Sequence, residues 1–241
     1  MLEVKNLKKN FGDFQAVKGI SFSVKEGEVL GFLGPNGAGK STTMRMITGF
    51  LPPSSGTAVI CGKDIQADPV EAKKNLGYLP ESAPSYKAMT VSDFLAFIAS
   101  VRGFTGVEAA KKVEDVIVQA KIEKVRNQTI ETLSKGYRQR TCFAQAILHD
   151  PKVLIMDEPT DGLDPNQKFT VRNMIKDMAA KGKAIIISTH ILEEVDAVCT
   201  KVVVISDGEK KFDGTPDELK AMDPSGKLDV VFRNLTMKEA K

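Results

Sequence analysis

Gly34-Pro35-Asn36-Gly37-Ala38-Gly39-Lys40-Ser41-Thr42 decides how this chain folds. It fits G-x-x-x-x-G-K-[ST]. An apolar run, Glu28-Val29-Leu30-Gly31-Phe32-Leu33, leads into it, and an amphipathic run from Thr42 to Phe50 follows. Strand, glycine loop and helix in that order are the setting in which the motif binds phosphate. Glycine has no Cβ, so the loop can curl and aim successive N–H groups at an anion. The first amides and the positive dipole end of the following helix favour the same anion. The pattern places Lys40 on the β- and γ-phosphates of a nucleotide and the Ser41 hydroxyl on Mg²⁺. The alternative is a glycine-rich turn that merely precedes Lys-Ser, and the flanking strand and helix count against it.

At 241 residues the chain can form one large α/β domain, or a domain with an inserted lobe. Lys and Arg number 34 against 31 Asp and Glu, and the resulting +3 is too small a bias to point to nucleic acid. Cys61, Cys142 and Cys199 lie far apart, are odd in number and form no C-x-x-C pair. That argues against a disulfide framework or a zinc site. Each sits in an apolar stretch, as a buried thiol in a reducing cytosol would. Met1-Leu2-Glu3-Val4-Lys5 lacks the basic-then-apolar pattern of a leader, and no apolar run nears the roughly 20 residues needed to cross a bilayer. Any membrane work then falls to a partner.

The first quarter reads as strands: Leu2 to Leu7, Ala16 to Val24, and the run entering the phosphate loop, with Lys25-Glu26-Gly27-Glu28 as a tight turn. Pro52-Pro53-Ser54-Ser55-Gly56 is a break, and Thr57 to Ile60 a further short strand. From about Ser82 to Gln128 the pattern turns helical. Thr90 with Asp93 three residues on opens one helix, which Gly103 stops. Val113, Val116, Ile117 and Ala120 mark a second, with Glu108 and Lys112 four apart on its outer face, and a third begins near Ser134. Val153 to Met156, Ala184 to Ser188 and Val202 to Ile205 are continuous apolar runs, as strands buried on both faces should be. Asp164 with Pro165 opens a helix that Gly182 closes, and Thr215-Pro216-Asp217-Glu218 is a capping box. From Asp223 onward the chain is polar apart from Leu228 to Phe232, and loose packing is expected.

The strand Val153 to Met156 ends in Asp157 and Glu158. Strands of such sheets deliver functional groups at their carboxyl ends, so both acids should face the crevice that holds Lys40. Successive residues point to opposite sides, which assigns Asp157 to Mg²⁺ through water and Glu158 to the attacking water. Two solvated turn acids are the alternative. His190 also follows an apolar strand, where it could donate to a γ-phosphate, although alone it would pass for a surface histidine. His149 ends a helix, where a histidine favours the dipole.

Five segments, in order, resemble the nucleotide-binding subunit of ABC (ATP-binding cassette) transporters. They are Phe11, Gly34–Thr42, Leu133-Ser134-Lys135-Gly136-Tyr137-Arg138-Gln139-Arg140, Leu154–Asp164 with Glu158-Pro159-Thr160-Asp161-Gly162-Leu163-Asp164, and Ser188-Thr189-His190. The resemblance covers about residues 1–220. It implies an α/β fold in which a P-loop NTPase (RecA-like) core carries an antiparallel β subdomain and an inserted α-helical subdomain at about 82–150, with a short tail over 221–241. By the same resemblance Phe11 stacks on adenine, the alternative being a core phenylalanine. Ser134 and Gly136 are the parts of the signature loop that bind a γ-phosphate held by a second subunit, and Asp164 links the two sites across the dimer. In isolation Ser134 reads as an ordinary N-cap. ATP and Mg²⁺ are the implied cofactors, Glu158 and His190 the catalytic pair, and Ser41, Asp157 and Glu81 the metal set.

The chain departs from the family pattern in two places. Glu81 stands where glutamine is usual, and it still offers an oxygen ligand. In the signature, Lys135 replaces glycine and Tyr137 replaces glutamine. Lys135 either attracts phosphate or is simply solvated. Both departures resemble a bacterial branch paired with exporters of drugs, lipids, polysaccharide or ions. The implied assembly is a head-to-tail dimer docked, through the helical lobe and the Glu81 loop, on permease subunits at the cytoplasmic face of the cell membrane. A soluble ATPase of the same fold acting on nucleic acid or a protein assembly is the second reading, and the near-neutral charge does not support nucleic acid. A non-hydrolytic scaffold is the third, against which the Lys40, Asp157, Glu158 and His190 set speaks.

Overall fold

The structure, a computed structural model, describes residues 1–82 and 85–237. Residues 83–84 of the expected lobe and 238–241 of the expected tail lie outside the described residues. The chain begins with β1 (Leu2–Phe11) and β2 (Phe14–Val24), then β3 (Val29–Leu33), the phosphate loop and α1 (Lys40–Ile47). β4 (Ser55–Ile60), β5 (Lys63–Asp64), α2 (Pro69–Lys74) and β6 (Leu76–Leu79) lead to the helices α3 (Val91–Val101), α4 (Gly106–Gln119) and α5 (Lys135–Ile147). Alternation then resumes with β7 (Val153–Asp157), α6 (Pro165–Ala180), β8 (Ala184–Thr189) and α7 (Leu192–Val198). β9 (Lys201–Ser206), β10 (Glu209–Gly214), α8 (Pro216–Lys220) and α9 (Leu228–Thr236) complete it.

Two sheets hold these elements together. β2-β1-β4-β5 is antiparallel throughout, which bears out the expected antiparallel portion. β10-β9-β3-β8-β7-β6 is parallel except for the antiparallel pair of β10 and β9. The central strands are buried on both faces, and alternate residues serve different cores. Ile155 and Ile186 pack with α1 and the antiparallel sheet, beside Phe22, Phe32 and Met44. Leu154, Met156, Ile185 and Ile187 face the other way, against Phe94, Ile117, Phe143 and Ile175 from the lobe and α6. The lobe therefore has no separate core. It grows from the far side of the sheet that carries the phosphate loop.

Several local expectations change. α1 starts at Lys40 rather than Thr42, because Gly39 takes the left-handed N-cap conformation, and it ends at Ile47, leaving Phe50 exposed. Lys112 lies 4.5 Å over the Phe104 ring, and its expected pairing with Glu108 gives way to this cation–π contact. The described part of the segment after Asp223 is not loose. Leu228 and Val231 of α9 are buried with Val202, Val204 and Leu219, and full burial of such side chains is worth about 1.5–3 kcal/mol each. Thr90, Ser134, Asp164 and Thr215 all cap helices as expected, each accepting from the backbone N–H three residues on.

His149 departs most from its sequence reading. Its Nε2 donates to the Leu76 carbonyl at 3.0 Å, Nδ1 is buried without a partner, and burial with Arg102 nearby pushes its pKa down to about 4. A neutral ring adds no charge to the helix end, so the dipole reading fails. The unfolded chain, with histidine near 6.5, binds this proton more readily than the folded one. Stability from His149 is therefore complete above pH 6.5 and lost as pH falls through 6.5 towards 4, by about 3 kcal/mol in all. His149→Gln, which can still donate to Leu76, is expected to flatten the fall of Tm between those pH values. A fall as steep as in the parent chain would refute the assignment.

Candidate nucleotide site

The loop between β3 and α1 is shaped by close backbone approaches. A Cβ at Gly34 would lie 2.5 Å from the Ile205 carbonyl, and one at Gly39, where φ is 103°, would lie 2.8 Å from the Ala16 carbonyl. Strand β2 is thus pressed against the loop and fixes its inner curve. Lys40, only 7% exposed, donates from Nζ to the carbonyls of Gly34 at 2.7 Å and Pro35 at 3.3 Å. Burial holds its pKa below the usual lysine value, while Glu158, Asp157 and Glu81 pull it back up. Gly34, Pro35 and Ala38 form the scaffold of the loop, and Asn36, Gly37, Gly39, Lys40, Ser41 and Thr42 line a cleft of about 460 Å³.

The other wall of that cleft comes from the ends of β7 and β8. Asp157, 3% exposed, accepts a hydrogen bond at Oδ1 from the Ser188 hydroxyl, its register partner on β8. Glu158 is the first residue beyond β7 and sits at φ 50°, a conformation that costs a non-glycine residue about 1–3 kcal/mol. That turn carries the Glu158 side chain away from Asp157. Its Oε1 lies 3.0 Å from His190 Nδ1, and its Oε2 is buried with no partner. Glu81, Glu158, Asp161 and His190 all line the cleft, whereas Asp157 lines the adjoining groove with Glu81. At the far end Phe11 is 49% exposed, with Lys9 Nζ 5.2 Å over its ring, so it is not a core residue. Phe14, its register partner across the hairpin, is 66% exposed and lines the same cleft. The expectations from sequence missed Phe14 and Asp161. The aromatic pair flanking Gly12-Asp13 was the available signal for Phe14.

The profile described as ABC transporter matches residues 17–161, more than half of the sequence. The chain belongs to the ABC transporter family. It is 38% identical to the linearmycin resistance ATP-binding protein LnrL of Bacillus subtilis, over 91% of this chain and 70% of that protein. It is 36% identical to the Nod factor export ATP-binding protein I of Ralstonia nicotianae, over 91% of this chain and 68% of that protein. Among solved structures, the ATP binding subunit of an ABC transporter matches with a TM-score of 0.88 at 29% identity, covering 98% of this chain and 100% of that one. This chain carries the ATP-binding and ATP-hydrolysing unit of such a transporter.

Ser134 and Gly136, the expected signature residues at the start of α5, stand outside the cleft. Ser134 caps the helix and accepts from the Tyr137 N–H at 3.4 Å. Asp164 likewise caps α6, accepting from the Gln167 N–H at 3.0 Å. Lys135, far from being merely solvated, pairs with Asp161 at 3.4 Å and arches over Gly162. Gly136 packs against the Gln167 side chain, and Gln139 donates to the Pro159 carbonyl at 3.4 Å. The Lys135 and Gln139 contacts join the lobe to the segment just after Glu158, and Gly136 joins it to the first turn of α6. The ion pair is half exposed and worth only about 0–1 kcal/mol. Its consequence is therefore positional. Among the described residues no helix is long and apolar enough to cross a membrane.

Proposed function

We propose that the chain works as one half of a head-to-tail pair that closes on two ATP molecules and drives export by a membrane permease. The observation that carries this reading is the separation of Ser134 and Gly136 from the cleft that Lys40, Glu158 and His190 line. The signature of one copy then completes the site of the other, at the helix N-terminus where N–H groups suit phosphate. Phe11 and Phe14 supply a face for the base. Lys40 takes the β- and γ-phosphates, Glu158 accepts the proton of the attacking water at its unpartnered oxygen, and His190 holds the other oxygen in place. Asp164 lies at the seam between the copies.

The residues present fit Mg²⁺. Among the described residues no group of three or more His, Cys, Asp and Glu could hold a metal alone. Mg²⁺ bound to ATP takes most ligands from phosphates and water, with one or two protein oxygens. Ser41, Asp157 and Glu81 would hold it. It would neutralise charge developing on the phosphates.

The lobe supplies a docking face for the permease. Tyr86 and Phe97 are 57% and 40% exposed with ring centroids 5.3 Å apart, and Phe50 is 73% exposed near the Glu81 loop. The names of the linearmycin resistance and Nod factor export relatives support export as the direction. The chain would then sit at the cytoplasmic face of the cell membrane through its permease. Purification of the tagged chain from native membranes is expected to bring down an integral membrane protein. Recovery of soluble protein or nucleic acid alone would overturn the reading.

A further inference from the structure

We propose that Ser188 is a positioning residue for the metal-binding carboxylate: its hydroxyl occupies one oxygen of Asp157 and leaves the other as the oxygen available to the cation that accompanies ATP. The inference rests on the reading of Asp157 given above and adds to it the group that orients that carboxylate. Ser188 is fully buried and Asp157 is 3% exposed, side by side on the central strands β8 and β7. A carboxylate in such a place must be hydrogen-bonded, since water cannot solvate it freely. Lys40, whose charge Asp157 feels, does not make that bond, because its Nζ is turned to the carbonyls of Gly34 and Pro35. Among the described residues, the side-chain hydrogen bond to Asp157 comes from Ser188.

Ser188 also touches the second acid. Its carbonyl accepts the Glu158 N–H at 3.0 Å, which anchors the backbone just where the strained turn begins. One residue thus fixes the Asp157 side chain through its hydroxyl and the Glu158 main chain through its carbonyl. Only the first of these depends on the side chain. Removing the hydroxyl should release Asp157 alone and leave Glu158 where it is. A partner of this kind, one step behind a metal ligand, typically changes metal affinity or activity by about 10–100-fold when lost.

The test uses the full chain with a non-hydrolysable ATP analogue and Mn²⁺ as the probe, read by electron paramagnetic resonance, alongside analogue affinity in EDTA. Ser188→Ala is expected to weaken Mn²⁺ in the complex by about tenfold or more, with the metal-free affinity unchanged. Ser188→Thr, which keeps the hydroxyl, is expected to restore most of the loss. Asp157→Asn separates the two readings. If it weakens Mn²⁺ and Ser188→Ala does not, the positioning role is wrong and the Asp157 assignment stands. If Asp157→Asn leaves Mn²⁺ affinity intact, the assignment itself fails. Equal weakening of analogue with and without metal would make Ser188 merely structural and overturn the proposal. Should the alanine variant fail to fold, Ser188→Cys, close in volume and a weak donor, carries the same comparison.

Discussion

Glu158→Gln will bind ATP as the parent chain does and turn it over about 10²–10⁴-fold more slowly, the contribution expected of a positioned general base. The substitution is nearly isosteric, so the left-handed turn and the contact to His190 at 3.0 Å can both persist. What disappears is the proton-accepting capacity at Oε2, which faces no protein partner. Binding, carried by Lys40 and the loop amides, is untouched. With hydrolysis blocked, the ATP-bound pair should accumulate and elute as a dimer on size exclusion in the presence of ATP. Single-turnover hydrolysis measures the first effect directly. A variant that turns over at the parent rate would move the base elsewhere.

Lys40→Met will abolish useful ATP binding. Methionine is one atom shorter but fills most of the same buried space with an unbranched apolar chain, so the loop loses the charged head with little cavity. Hydrogen bonds to charged groups contribute about 1.5–3 kcal/mol each, so loss of one or two such bonds to phosphate weakens binding by roughly tenfold to several-hundredfold or more. Titration of a fluorescent ATP analogue, with circular dichroism to show retained fold, checks it. Affinity within threefold of the parent would remove Lys40 from the phosphate site.

Much of this was legible in the residues because the relevant signals are local. The loop at Gly34–Thr42, the caps at Ser134 and Asp164 and the acids closing β7 each advertise themselves within ten residues. The double burial of β7 and β8 was equally plain from their unbroken apolar runs. What escaped depends on contacts distant in sequence. His149 is neutral because segments distant in sequence bury it and bring Arg102 near, which outweighs the Leu76 carbonyl's pull towards the charged ring, and α9 packs because β9 presents Val202 and Val204. The role of Lys135 required Asp161, 26 residues away, to be seen beside it. The short elements β5 and α2 left too few residues for a period to be read.

The stitching of α5 to the segment after Glu158 has a consequence for how two copies would communicate. Asp161 faces this copy's own cleft, while Ser134, next to Lys135, would face the neighbour's nucleotide. Free energy gained when a foreign phosphate settles at Ser134 can be felt at Asp161 through one ion pair, and by thermodynamic linkage the effect must run equally in the other direction. Each active centre would then keep a ledger of its neighbour's occupancy, and removing Lys135 would blur the cooperativity between sites before it harmed either one.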